Sequence, residues 1–337
     1  MGTVIPLKKE INNSYSQLKS LVGDKLDNVS LVIKQKIASE INLIHKMTSY
    51  HLNSGGKRIR PLLTLASAKL CGYNDGKRDV NLAACVELIH SATLLHDDVI
   101  DNSDLRRGIK TANSVWGNQS SVLIGDYLFS RCFEMMVSDG SSEVLKLLSS
   151  TSSTIAQGEV LQLEHKGEID ILEETYFNII NMKTASLFAA ATRVGACVGS
   201  KSNKEKDALE SYGKNLGLAF QIADDALDYF SKTKIFGKEI GKDFYEGKVT
   251  FPLIIIFQRA NNEEKNFLKE IFKKEKRNED DFSETLALIN KYKAVQVSLK
   301  RAEYFVNVSY DALGIFENSE EKKILQNLTK FSLNRSF

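Results

Sequence analysis

The chain has 337 residues, with 45 Lys and Arg against 43 Asp and Glu and a formal net charge of +2, so no whole-molecule field points to nucleic acid. Its 42% hydrophobic and 26% charged fractions are ordinary for a soluble globular protein. The most apolar stretches, 251–257 and 187–199, are too short, or too interrupted by Arg193, to span a bilayer. Cys71, Cys85, Cys132 and Cys197 show no metal-type pairing and follow no secretory leader, so reduced thiols and a cytoplasmic location are expected.

Amphipathic runs predict helices over roughly 8–22, 25–50, 60–72, 80–102, 119–138, 142–166, 170–199, 204–232, 248–262, 280–291, 293–314 and 319–332. Period-two strand patterns are missing, and Pro6, Pro61 and Pro252 all fit element boundaries. The charge-dense segment 265–281 reads as a solvated loop or an exposed helix. No turn cluster is long enough to be a linker, so the expectation is one all-α domain over 1–337.

Two acidic signatures stand out: Asp97-Asp98-Val99-Ile100-Asp101 and Asp224-Asp225-Ala226-Leu227-Asp228. On a helix the first and last Asp of each lie one turn apart on one face, with the middle Asp rotated aside. Such faces repel themselves unless a cation intervenes, and Mg²⁺ binds through one or two carboxylates while keeping positions for water or substrate phosphate. His90 lies two turns before Asp97, about 10 Å along the same helix. It reads either as a core histidine or as a donor to a second phosphate group. Gly55-Gly56-Lys57-Arg58-Ile59-Arg60-Pro61 joins a flexible turn to three cations without Walker spacing, and so suggests diphosphate binding without a nucleotide. Arg106-Arg107-Gly108 adds guanidinium forks. Lys183-Thr184, Gln221, Lys238 and Lys248 place further polar and cationic groups around the second signature.

In this order and spacing these stretches, with Gly125-Asp126 and Gly237-Lys238, resemble the trans-isoprenyl diphosphate synthase family, closest to its long-chain polyprenyl type. The resemblance covers nearly the whole chain; Phe236 and Phe251 stand where leucine is more usual. It implies a bundle of long helices around a central cavity and a Mg²⁺-dependent prenyltransferase that adds isopentenyl diphosphate repeatedly to an allylic diphosphate. Lys57, Arg60, His90 and Arg107 would hold isopentenyl diphosphate. Arg106, Lys183, Thr184, Gln221 and Lys238 would contact the allylic diphosphate, and Asp97, Asp101 and Asp224 the metal. Asp97, Asp101, Arg106, Lys183 and Lys238 would carry the ionisation. Ala92 and Thr93, just upstream of Asp97, are small, implying an open shaft and a long product, octaprenyl for a quinone side chain. Phe129, Cys132, Phe133 and Met136 are candidates for the tunnel floor. A homodimer is expected, with release of the product to a membrane. A shorter-chain synthase, a terpene cyclase and a regulatory synthase subunit are the alternatives.

Overall fold

A computed structural model describes the backbone of residues 5–229 and 240–334 and the side chains of residues 14–229 and 240–330. Lys238 and Phe236 lie outside the described residues. Helices α1 (Ile5–Val22), α2 (Lys25–Lys36), α3 (Asn42–Asn53) and α4 (Ile59–Leu70) lead into the long α5 (Arg78–Ile100). The run expected as one helix over 25–50 is therefore two. At the break the Ser39 hydroxyl accepts from the Ile41 N–H at 3.1 Å, a local bond that competes with helix continuation.

A short antiparallel ribbon, β1 (Leu105–Arg106) and β2 (Ile109–Lys110), pairs Arg106 with Ile109. Then come α6 (Ala112–Trp116), α7 (Asn118–Asp139) and α8 (Ser142–Glu164). The run expected over 170–199 is α9 (Glu173–Ile180), a π-helical turn at Asn181–Ala185, and α10 (Ser186–Val198). Next is α11 (Asn203–Leu227), followed by α12 (Lys242–Glu246), α13 (Phe251–Arg259), α14 (Asn262–Lys273), α15 (Glu279–Lys291), α16 (Ala294–Ala312) and α17 (Glu320–Asn334).

Capping boxes start three of these. Ser202 with Glu205 opens α11, Asn261 with Glu264 opens α14, and Asn278 with Asp281 opens α15. Each satisfies two N-terminal donors reciprocally. That chemistry turns most of the charge-dense segment into exposed helix, anchored by buried Leu268, Ile271 and Phe272.

α10 is apolar on nearly every face, with only Ser186 and Arg193 outside the core, so it belongs at the centre. It packs against α4 on one side and α11 on the other, while α11 also meets α16 and α5 lies along α7. Two apolar clusters meet on α11: Leu209, Tyr212 and Leu216 belong to one, and Leu218, Ile222 and Ala226 to the other. All four cysteines are buried and free. Among the described residues no helix is long and apolar enough to cross a membrane.

Candidate active site

The first acidic signature ends α5, with Asp101 as its C-cap. Asp98 is 2% exposed. Its Oδ1 accepts from both Nε and Nη2 of Arg106, each at 2.8 Å. The ribbon makes this contact: Ser103 N–H donates to Asp98 O at 2.9 Å and Thr111 Oγ1 to Ser103 O at 2.6 Å, folding the chain back so that Arg106 reaches α5. The middle aspartate therefore orients an arginine. Burial pushes the Asp97 carboxyl up to about 7; Lys183 opposes this rise, while Glu159 and Asp101 add to it. Burial also works to raise Asp101, but Lys248, whose Nζ lies 2.7 Å from Oδ2, outweighs it and holds Asp101 below its ordinary value.

The second signature ends α11. Asp225 is 3% exposed; its Oδ2 accepts from the Tyr176 hydroxyl at 2.6 Å and its Oδ1 from Gln221 Nε2 at 2.7 Å. Burial, reinforced by Asp243, pushes its carboxyl up to about 8. Asp228 accepts from the backbone N–H groups of Lys242 at 3.3 Å and Asp243 at 3.0 Å. It thus fastens the start of α12, whose Glu246 holds Lys248 Nζ at 2.8 Å. Asp224 sits one turn before Asp228 on the same helix face.

The π-helical turn delivers Lys183 and Thr184 between the signatures. Lys183 Nζ donates to Glu159 Oε2 at 2.6 Å and Gln162 Oε1 at 2.8 Å, and Thr184 Oγ1 donates to Gln221 Oε1 at 2.8 Å. Gly158 permits the close approach of α8: a Cβ there would lie 2.8 Å from Met182 Cβ and 2.9 Å from the Lys183 nitrogen. A cavity of about 130 Å³ is lined by Asp101, Glu159, Lys183, Thr184, Gln221, Asp225 and Lys248, among others. Residues of both signatures thus open onto one space.

A second, basic group surrounds His90. Burial is the main cause holding the His90 imidazole well below its ordinary value, followed by the charges of Arg60, Arg106, His51 and Arg107. At neutral pH it is therefore an uncharged ring with one N–H to donate. The Arg60 guanidinium lies 4.6 Å from the Phe188 ring centroid, and its Nε is buried with no hydrogen-bond partner in the protein. Arg107 adopts a left-handed conformation (φ 54) and donates to Gly55 O. Its guanidinium lies flat on Gly56, where a Cβ would come within 2.8 Å of Nη1 and φ is +144. Lys57 is held by α1: its carbonyl accepts from the Tyr15 hydroxyl at 2.9 Å and its Nζ lies 5.9 Å from that ring centroid. Glu87, one turn before His90, faces these cations, yet burial pushes its carboxyl up to about 7.

The chain-length candidates divide. Thr93 is half-buried, whereas Ala92 is 0% exposed inside the main apolar cluster and faces no open space. Cys132 and Met136 are likewise closed into the core, Phe129 is partly buried, and Phe133 is 46% exposed on the outer face of α7.

Sequence reasoning missed Glu159, Gln162, Tyr176, Glu87 and His51, and treated Lys248 only as a flanking cation. Isolated polar residues carry no spacing signal; what identifies them is the partner folding brings. Among the described residues no three His, Cys, Asp or Glu side chains form a preformed metal cage. The donor set nonetheless fits Mg²⁺, whose sites use one or two carboxylate oxygens and reserve positions for substrate phosphate.

Comparison with known proteins agrees with this arrangement. The polyprenyl synthetase family model matches residues 41–289. Octaprenyl diphosphate synthase of Haemophilus influenzae is 34% identical over 331 residues, covering 98% of this chain and 100% of that protein. The Escherichia coli octaprenyl diphosphate synthase is 41% identical over 256 residues, 76% of this chain and 79% of that one. Among solved structures, a polyprenyl synthase from Caulobacter crescentus, complexed with calcium and isoprenyl diphosphate, superposes with a TM-score of 0.91 at 40% identity, covering 96% of this chain and 98% of that one. The chain belongs to the polyprenyl synthetase family and is a prenyltransferase.

Proposed function

We propose that this prenyltransferase makes a long all-trans-polyprenyl diphosphate, octaprenyl in length, by repeated condensation of isopentenyl diphosphate onto an allylic diphosphate. The observation that carries this reading is the single cavity shared by Asp101, Lys183, Thr184, Gln221 and Asp225, with the basic group around His90 beside it on α5. The octaprenyl length is supported by the Haemophilus and Escherichia relatives and by the absence of a bulky aromatic at the half-buried Thr93.

Asp97, Asp101 and Asp224 would hold Mg²⁺, which when bound neutralises charge on the departing diphosphate. Arg106, oriented by Asp98, and Lys183, oriented by Glu159 and Gln162, supply fixed positive charge where the leaving group develops negative charge. Thr184 and Gln221 position the same group, and Lys238 is assigned there by resemblance. Lys57, Arg60, His90 and Arg107 hold isopentenyl diphosphate so that its double bond attacks the allylic carbon. Loss of a proton from the adduct restores an allylic product for the next round.

The chain acts as one domain over 1–337 and as a homodimer. Support for the dimer is the outer stripe of α7, where Val122, Phe133 and Val137 are 38%, 46% and 67% exposed at helical spacing. The enzyme works in the cytoplasm and releases product to a membrane, since each added isoprene unit buries five carbons at about 0.8 kcal/mol per CH₂-sized group.

Mass analysis of products made from farnesyl and isopentenyl diphosphates tests the reading. A polyprenyl ladder ending near eight isoprene units, lost in Asp97→Ala, is the expected result; a cyclic hydrocarbon from the allylic substrate alone, or undiminished Asp97→Ala turnover, overturns it.

A further inference from the structure

We propose that Tyr176 is a positioning residue for the allylic-diphosphate end of the site, acting through Asp225. The inference rests on the reading of Thr184 and Gln221 as contacts of that diphosphate. Four side chains form a directed series. The Tyr176 hydroxyl donates to Asp225 Oδ2 at 2.6 Å, Gln221 Nε2 donates to Asp225 Oδ1 at 2.7 Å, and Thr184 Oγ1 donates to Gln221 Oε1 at 2.8 Å. All four line the same cavity.

The direction of each bond matters. Asp225 accepts from both of its partners in this geometry, so the Gln221 amide presents nitrogen to it and oxygen to Thr184. A reversed amide would set two oxygens against each other at the Asp225 end. Tyr176 holds the far oxygen of the Asp225 carboxyl and so fixes the orientation in which the other oxygen meets Gln221. A phenylalanine would leave that oxygen buried and unpaired.

The phenol ring is itself held. Phe251 stacks on it at 5.5 Å between centroids and 14° between planes, and Phe177 meets it edge-on at 5.3 Å and 74°. Arg301 caps the cluster, 5.3 Å from the Phe177 centroid and 5.7 Å from that of Phe251, and is paired with Glu173 at 2.7 Å. Phe251, the residue that replaces the more usual leucine, thus supplies a flat face for Tyr176. The ring, its hydroxyl and the Asp225 side chain tie α9, which runs straight into the π-helical turn carrying Thr184, to the end of α11, which carries Gln221.

The test compares wild type, Tyr176→Phe, Asp225→Asn and the double variant, each checked for native helical circular dichroism. Calorimetry with an unreactive allylic thiodiphosphate and Mg²⁺ reads binding without turnover, and steady-state kinetics separates KM for the two substrates. Tyr176→Phe is expected to bind the thiodiphosphate about tenfold more weakly with KM for isopentenyl diphosphate unchanged. In the Asp225→Asn background, Tyr176→Phe is expected to change nothing further. Wild-type affinity in Tyr176→Phe, equal rises in both KM values, or losses that multiply in the double variant overturn the role of Tyr176. If Tyr176→Phe fails to fold, Asp225→Asn carries the test, and unchanged thiodiphosphate affinity in it overturns the role. A wild-type protein that makes no polyprenyl product overturns instead the function proposed above.

Discussion

Replacing Glu87 by Gln separates two opposed pH effects in the basic half of the site. Burial pushes the Glu87 carboxyl up from 4.5 to about 7, although Arg60, Arg58 and Arg107 pull it down. Nearby, burial and then Arg106 and Arg107 hold His51 down from 6.5 to about 4. A carboxyl raised on folding binds more protons in the folded state. Its contribution is therefore fully present below pH 4.5 and lost as pH rises to 7 and above. At about 1.4 kcal/mol per unit, a shift of this size amounts to about 3 kcal/mol. His51 runs the other way: its contribution is present above 6.5 and lost as pH falls toward 4. These two contributions oppose each other across the shared window. Glu87→Gln removes one partner. Its stability relative to wild type is expected to rise by about 3 kcal/mol from pH 4.5 to pH 8. Urea denaturation of both proteins at intervals between those limits measures the difference, in which all unchanged groups cancel. A difference independent of pH would refute the assignment of a raised carboxyl to Glu87.

Four other perturbations read other parts of the site. Asp98→Ala leaves Arg106 without its carboxylate, and is expected to cost about 2 kcal/mol of stability, less than a fully buried pair because Arg106 is partly exposed; KM for the allylic substrate should rise, as urea midpoints and kinetics will show. Gly56→Ala sets a methyl against Arg107 and strains a left-handed backbone, so KM for isopentenyl diphosphate is expected to rise about tenfold with the allylic KM unchanged. Thr93→Phe, at a half-buried position, is expected to shorten the product ladder read by mass. Ala92→Phe, at a fully buried one, is expected instead to destabilise the protein by about 1–3 kcal/mol, measurable as a lowered thermal midpoint.

The sequence by itself determined the all-α class and the placement of both acidic signatures at helix ends. Those features depend on local periodicity, caps and residue chemistry, which act over one or two helical turns. It also carried the length of α5 and the turn that precedes α4, because proline, glycine and apolar spacing mark such boundaries directly.

Tertiary structure decided what each aspartate does. Asp98 is committed to Arg106, Asp225 to Tyr176 and Gln221, and Asp228 to the start of α12. Along the chain these aspartates look equivalent to their neighbours, since Tyr176 is 49 residues from Asp225 and Lys248 is 147 from Asp101. Packing α9 against α11 brings Tyr176 to Asp225, and the segment after α12 brings Lys248 to Asp101, both within 3 Å. Packing of α5 against α4, α7 and α10 buried Ala92, while Phe133 on α7 stays exposed. A helical period tells which residues share a face, but the neighbouring helix decides whether that face meets core, cavity or solvent.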